Sequence, residues 1–291
     1  MRWEGNRESE NVEDRRGDGG GGGFGIGGRS IGIGTVVIAL VASYFLGVSP
    51  GTVINVLSGG GGPAPVTQQG PAKAPPADDK EARFVSTVLA DTEDTWTAIF
   101  SKAGQTYVKP RLVLFTGRTQ TACGTGQTAS GPFYCPGDQK IYIDLSFYRL
   151  MQQRFGVSGE FAQAYVIAHE VGHHVQNLMG IMDKVDQVRR GAAPAQANAL
   201  SVRVELQADC FAGVWAKNAD KARNILENGD VETALNAATA IGDDALQKQA
   251  QGYVVPDSFT HGTSAQRVRW FKRGIESGQV SACNTFDARS L

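Results

Sequence analysis

Residues 164–177 read AYVIAHEVGHHVQN, and they decide the fold. Within them, His169-Glu170-Val171-Gly172-His173 places two histidines four residues apart, with a glutamate directly after the first. Positions i and i+4 share one face of a helix, so both imidazoles reach one cation. Neutral imidazole suits zinc. Glu170 then lies beside the metal without binding it, placed to accept a proton from an attacking water. The flanks predict the helix: Ser158 is the expected N-cap, Phe161, Val166 and Val171 are apolar at helical spacing, and Gly180 is the stop. The rival is a solvated face with two surface histidines. It sits poorly in the apolar run from Ala162 to Ala168, where an unsatisfied His or Glu is costly.

A catalytic zinc takes three protein ligands and leaves a fourth position open. His174 points about 100° away around the helix and is a poor third ligand. Gln176 and Met179 stand where the extended three-histidine pattern needs Gly and His. The better candidate is Glu205, in Glu205-Leu206-Gln207-Ala208-Asp209. A helix is predicted there over about 197–217, with Leu200, Val204, Ala208, Phe211 and Trp215 as its apolar stripe. Glu205 and Asp209 flank that stripe one turn apart. Glu205 binds the zinc in this reading, and Asp209 accepts the N–H of a ligand histidine and fixes its tautomer. The alternative is a pair of surface carboxylates, preferred if the histidine pair were absent.

Outward from these motifs, the chain has 291 residues and a formal net charge of −1, which points away from nucleic acid and from a polybasic membrane patch. Residues 1–30, charged and then glycine-rich through Gly19 to Gly23, predict a disordered tail. No strand or βαβ unit accompanies the glycines, so a dinucleotide site is excluded. Residues 31–48 (IGIGTVVIALVASYFLGV) carry no charge and predict one transmembrane helix, extendable through Val53 to Leu57. A core helix lacks a neighbouring domain there, and 30 polar residues make too long a leader for a cleaved signal peptide. Arg2, Arg7, Arg15, Arg16 and Arg29 precede the span, and the first lysine after it is Lys73. The basic residues therefore predict a cytoplasmic tail and an outward-facing domain. Residues 49–79 form a Pro/Gly linker, and about 80–291 make one domain.

In that domain, Phe84, Val88, Leu89, Trp96, Ile99 and Phe100 predict a first helix ending before Gly104. Strands are expected at 112–115 and 140–145, with a long loop over 117–138, and a last helix starts near Thr263 and buries Val268, Phe271 and Ile275. The class is α+β, helix-rich with a small sheet. Cys123 and Cys135 bracket one Gly-rich loop and pair with each other, leaving Cys210 for Cys283. All four lie beyond the span, in the compartment where disulfides persist. A second zinc site is the rival, but no close C-x-x-C pair exists. His261 is the one histidine outside the HEVGHH run, and it precedes the helix that Thr263 or Ser264 caps. It is either a surface histidine in a turn or a donor to the oxyanion that peptide hydrolysis develops, with Tyr253 as the next candidate.

The H-E-x-x-H helix with a later E-x-x-x-D helix resembles the thermolysin-like zincins, and Ser201 with ELQAD resembles the membrane-bound CAAX prenyl proteases and their bacterial relatives. Closer still, MRWEG, NVEDRRG, GPFYCP at 131–136, AYVIAHEVGHHVQN and FTHGTSAQRVRWF at 259–271 resemble the neutral zinc metallopeptidases of the YpfJ type, nearly end to end. The resemblance implies a bacterial cell-envelope zinc protein and no known substrate. With the span and its flanking charges, the expectation is a single-pass protein of the bacterial cytoplasmic membrane, holding one Zn2+ per chain and acting on a peptide or protein outside. It also implies a zincin-like domain with strand 140–145 beside the cleft, where an extended substrate adds to its edge, and a late histidine in the role of His261. A zinc-stabilised binding or scaffold protein without proteolysis is the alternative. An intact Glu170 speaks for the enzyme.

Overall fold

The computed structural model describes residues 1–18, 73–127 and 131–291. The expected span at 31–48 and the linker up to 72 lie outside the described residues. Among the described residues no helix is long and apolar enough to cross a membrane.

The expected α+β class holds: eight α-helices among the described residues pack around a four-stranded sheet and a small hairpin. Helix α1 (Lys80–Lys102) starts where Asp79 accepts the amide of Ala82, and it buries Phe84, Val88, Leu89 and Trp96. The sheet is built from β1 (Val12–Asp14), β2 (Arg111–Phe115), β5 (Phe133–Cys135) and β6 (Lys140–Asp144), in the spatial order β1-β2-β6-β5. β1, β2 and β6 are parallel, and β5 runs antiparallel to β6. β2 reads as a continuous apolar run because both its faces are buried, Leu112 and Leu114 in the main core and Val113 and Phe115 against Cys135 and Tyr142.

Two expectations are corrected here. The segment 117–138 is not one loop, because β3 (Arg118–Thr121) and β4 (Gly124–Gln127) form a hairpin within it. β5 comes next along the chain, and the Cys123–Cys135 disulfide ties hairpin to strand. Polar threonines and glycines masked the strands, since their pairing comes from the partner strand and not from buried side chains. Strand 140–145 does not offer its edge either. β6 lies between β2 and β5, so among the described residues the free edge on that side belongs to β5.

A third correction concerns the tail. Residues 1–18 are part of the domain. β1 pairs with β2 in the register Val12 to Leu112, Trp3 is 4% exposed, and Trp3 meets Phe84 edge-on at 5.4 Å. The buried Glu93 of α1 accepts hydrogen bonds from Ser9 (2.6 Å), Asn11 (2.7 Å) and Arg7 (3.0 Å). Charge composition suggested disorder, yet these charged groups find partners within the fold, and burying Val12 alone contributes about 1.5–3 kcal/mol.

The remaining helices are α2 (Ser146–Phe155), α3 (Glu160–Leu178), α4 (Ile181–Arg189), α5 (Pro194–Arg223), α6 (Asp230–Ala240), α7 (Asp243–Gln251) and α8 (Ser264–Ser277). The metal-motif helix α3 begins one residue after Gly159, without the side-chain cap expected from Ser158. The last helix is capped by Thr263, one of the two caps expected, and Gln266 completes a capping box with it that sequence reasoning did not name. Helix α5 runs 30 residues and lies against both α3 and α8. Small residues set these crossings. A Cβ on Gly172 would come within 3.0 Å of the Ala208 carbonyl oxygen, and one on Gly274 within 2.0 Å of that of Cys210. Gly213 faces the same crossing, with Phe271 O at 2.3 Å from a built Cβ. The Cys210–Cys283 disulfide fastens α5 to the turn after α8.

Candidate metal centre

Helix α3 presents His169 and His173 on one face, one turn apart. Gly172 stands between them and lets α5 approach so closely that Glu205 reaches both rings. His169 Nε2 lies 3.1 Å from Glu205 Oε2, and His173 Nε2 lies 3.4 Å from Glu205 Oε1. One ligand atom from each residue falls within 4.8 Å of the others, the one such group among the described residues. Two ligands on a tetrahedral zinc with bonds of about 2.1 Å are separated by about 3.4 Å, so the spacing fits.

The other ring nitrogens are held by acceptors. His169 Nδ1–H donates to Asp209 Oδ1 at 2.8 Å, and His173 Nδ1–H donates to Gln176 Oε1 at 2.9 Å. Both Nε2 lone pairs of the neutral rings are thereby turned inward, as metal ligation requires. Gln176 is itself fixed by donating to Val204 O (2.7 Å) and Gln207 Oε1 (3.0 Å). A ligand set of two imidazoles and one carboxylate, each second nitrogen oriented by an acceptor, suits zinc.

Without a cation the site is strongly coupled. Burial lowers the pKa of His169, but Asp209 and Glu205 outweigh it and raise it to about 10. His173 is raised against the same burial penalty, chiefly by Glu205. The histidines hold Glu205 well below the usual carboxylate range although burial opposes this. A cation would take over the role of the protons. Glu170 behaves differently: burial pushes its pKa up, and its carboxyl has no hydrogen-bond partner among the described residues.

Sequence reasoning missed what lies behind the ligands. Arg267 on α8 is 2% exposed and grips Asp209 with two bonds, Nε to Oδ2 and Nη2 to Oδ1, both 2.9 Å. The Tyr165 hydroxyl donates to Asp209 Oδ1 at 2.5 Å. A signal existed: Arg267 shares a helical stripe with the buried Trp270, Phe271 and Gly274. An arginine on a core stripe needs a buried partner. His174 is turned away from the metal group, as its position on the helix predicted. Its ring bonds to the Tyr134 hydroxyl (3.0 Å) and to Val108 O (2.6 Å), and burial lowers its pKa.

His261 lines the same cavity of about 680 Å³ as His169, Glu170, His173 and Glu205. Its Nδ1 faces Asp243 Oδ1 at 3.2 Å, and Asp243 Oδ2 accepts the amides of Thr260, His261 and Gly262 at 2.7, 2.6 and 3.0 Å. Asp243 thus holds both the loop and the ring. It raises the pKa of His261, against burial, which lowers it, and Glu205 adds to the rise. Asp243 left no trace in the sequence, since nothing there ties the start of α7 to a loop 18 residues on. Tyr253 is 63% exposed and does not line the cavity. The free-edge strand β5 does, through Tyr134 with Pro132 and Pro136 on either side.

Comparison with known proteins agrees with this geometry. Residues 1–286 match the family described as "Putative neutral zinc metallopeptidase". The chain is 54% identical to the uncharacterized protein YpfJ of Escherichia coli (strain K12), over 98% of this chain and 99% of that protein. It is 41% identical to the uncharacterized protein Rv2575 of Mycobacterium tuberculosis (strain ATCC 25618 / H37Rv), over 72% of this chain and 73% of that one. No solved structure matches. The His169–His173 motif and a family match that includes the N-terminal strand agree: this chain belongs to the neutral zinc metallopeptidase family.

Proposed function

We propose that the protein is a zinc-dependent endopeptidase of the bacterial cell envelope, with His169, His173 and Glu205 as ligands and Glu170 as general base. The observation that carries this is the Glu170 carboxyl, which belongs to a buried residue beside the candidate ligands and lines the cavity. A buried carboxyl without a partner is costly, and a function repays that cost. A binding or scaffold protein needs the ligands but has no use for this group. Zinc held there supplies Lewis acidity, acidifying water and polarising the scissile carbonyl. Glu170 takes the proton of the attacking water and delivers it to the leaving amine. His261, oriented by Asp243, donates to the developing oxyanion. The substrate is a peptide segment in extended form, added to the free edge of β5 by main-chain hydrogen bonds.

The apolar run at 31–48 supports attachment to the cytoplasmic membrane, and the two disulfides support a domain on its oxidising side. The test is Glu170→Gln in the full chain. Zinc content should stay at one per chain while cleavage of unfolded casein is lost. Zinc lost together with cleavage would make Glu170 a ligand, and cleavage retained would remove it from the reaction.

A further inference from the structure

We propose that residues 1–18 and 73–291, which pack as one unit, lie on the same face of any membrane the protein is attached to. A single crossing puts the segments before and after it on opposite sides. The fold does not permit that separation. β1 is hydrogen-bonded in parallel to β2, with Val12, Glu13 and Asp14 opposite Leu112, Val113 and Leu114. Glu13 accepts from Arg111 and Lys140 at 3.1 Å each, which ties β1 to both strands beyond it. Ser9 and Ser86 exchange two bonds, Ser9 N to Ser86 O and Ser86 Oγ to Ser9 O.

The points at which the chain leaves and re-enters are clamped together. The Asp14 amide donates to Lys73 O at 2.7 Å, so Lys73 stands directly against the end of β1. Arg16 bridges the same two feet, binding Asp14 at 2.5 Å and Asp79 at 2.6 Å. The end of β1 and the segment from Lys73 to Asp79 therefore stand side by side in the domain.

The basic residues that suggested a cytoplasmic tail have another use. Arg2 pairs with Glu227, Arg7 with Glu93 and Asp94, Arg15 with Glu13 and Asp18, and Arg16 with Asp14 and Asp79. Of the five arginines counted before the apolar run, these four are ion-pair partners in the fold. The orientation rule weighs basic residues that remain in a flanking loop, and arginines paired inside a domain do not carry that weight.

Single cysteines at Glu10 (E10C) and at Lys102 (K102C), both exposed, test the arrangement in the full chain. The native cysteines are paired, so the added thiol is the reactive one. Spheroplasts of a bacterial host are treated with a membrane-impermeant maleimide, and labelling is normalised to detergent-lysed cells. E10C and K102C should give the same result, both labelled or both protected until lysis. One labelled and the other protected would overturn the proposal. Glu4→Cys, at a side chain 71% exposed, repeats the tail measurement should E10C disturb packing against α1. Zinc retention by each variant shows that the labelled protein is folded.

Discussion

At the scale of single residues, the candidate centre is a relay of orientation from Arg267 through Asp209 to His169, with Glu205 closing the group that could hold a metal. Glu205→Ala should abolish tight zinc binding, whereas Asp209→Ala should weaken it by roughly 10–100-fold, read by competition against a chelator of known affinity. The His261–Asp243 pair makes a different kind of prediction. Asp243 keeps a proton on Nδ1, so Nε2 carries hydrogen only in the imidazolium form. Since Asp243 raises the pKa of His261 above its ordinary 6.5, that form predominates at pH 6.5 and is lost as pH climbs through the raised value. The kcat/KM profile should therefore have an alkaline limb above pH 6.5. Asp243→Asn should move that limb to lower pH, and His261→Ala should abolish it and lower kcat by roughly 10²–10³. A limb unmoved by Asp243→Asn would take His261 out of the donor role. His169 and His173 were legible because helical periodicity puts them on one face within five residues, and Glu205 because it stands one turn from Asp209 beside the apolar stripe of a second helix. Asp243 and Arg267 were not, because they meet the site only through tertiary packing of α7 and α8.

At the scale of elements, the site depends on how closely α5 lies between α3 and α8. The helices touch where glycine removes the side chain, at Gly172 against Ala208 and at Gly213 and Gly274 on the other side. Gly274→Ala puts a methyl into the Cys210 carbonyl, and α5 must shift to admit it. Overpacking of this kind costs about 1–3 kcal/mol, so the variant should unfold at lower urea, with zinc affinity reduced because Glu205 and Asp209 ride on the shifted helix. An unchanged urea midpoint would mean that the crossing is looser than the contact implies. The long helices were legible from their apolar stripes; of the caps, Thr263 was one of two candidates, while Ser158 caps nothing. The hairpin β3–β4 was hidden: its residues Arg118, Thr119, Gln120 and Thr121 face Gln127, Gly126, Thr125 and Gly124, a pairing with almost no apolar alternation. β5 is only three residues long between prolines, too short for a period of two to be read.

At the scale of the whole molecule, the first residues of the chain complete the fold instead of trailing from it. Trp3→Ala should destabilise the domain by about 3–5 kcal/mol, as loss of a buried tryptophan does. A disordered tail would give no change, so equilibrium unfolding separates the two. Composition misled here because a charged, glycine-rich leader reads as disorder until its carboxylates and arginines are matched to partners 60 or more residues away, such as Arg16 with Asp79. The pairing of β1 with β2 also sets a clock. Val12 leaves the ribosome about 100 residues before its partner Leu112. At roughly 5–20 residues per second, that is a wait of about 5–20 s for the growing chain. Through that interval Trp3 and Val12 are uncovered and the slot beside β2 does not yet exist. When the slot forms, the β1 of another nascent chain fits it as well as the resident one, so crowded synthesis on one messenger favours exchanged dimers joined by their opening strands, while sparse synthesis favours the self-closed monomer.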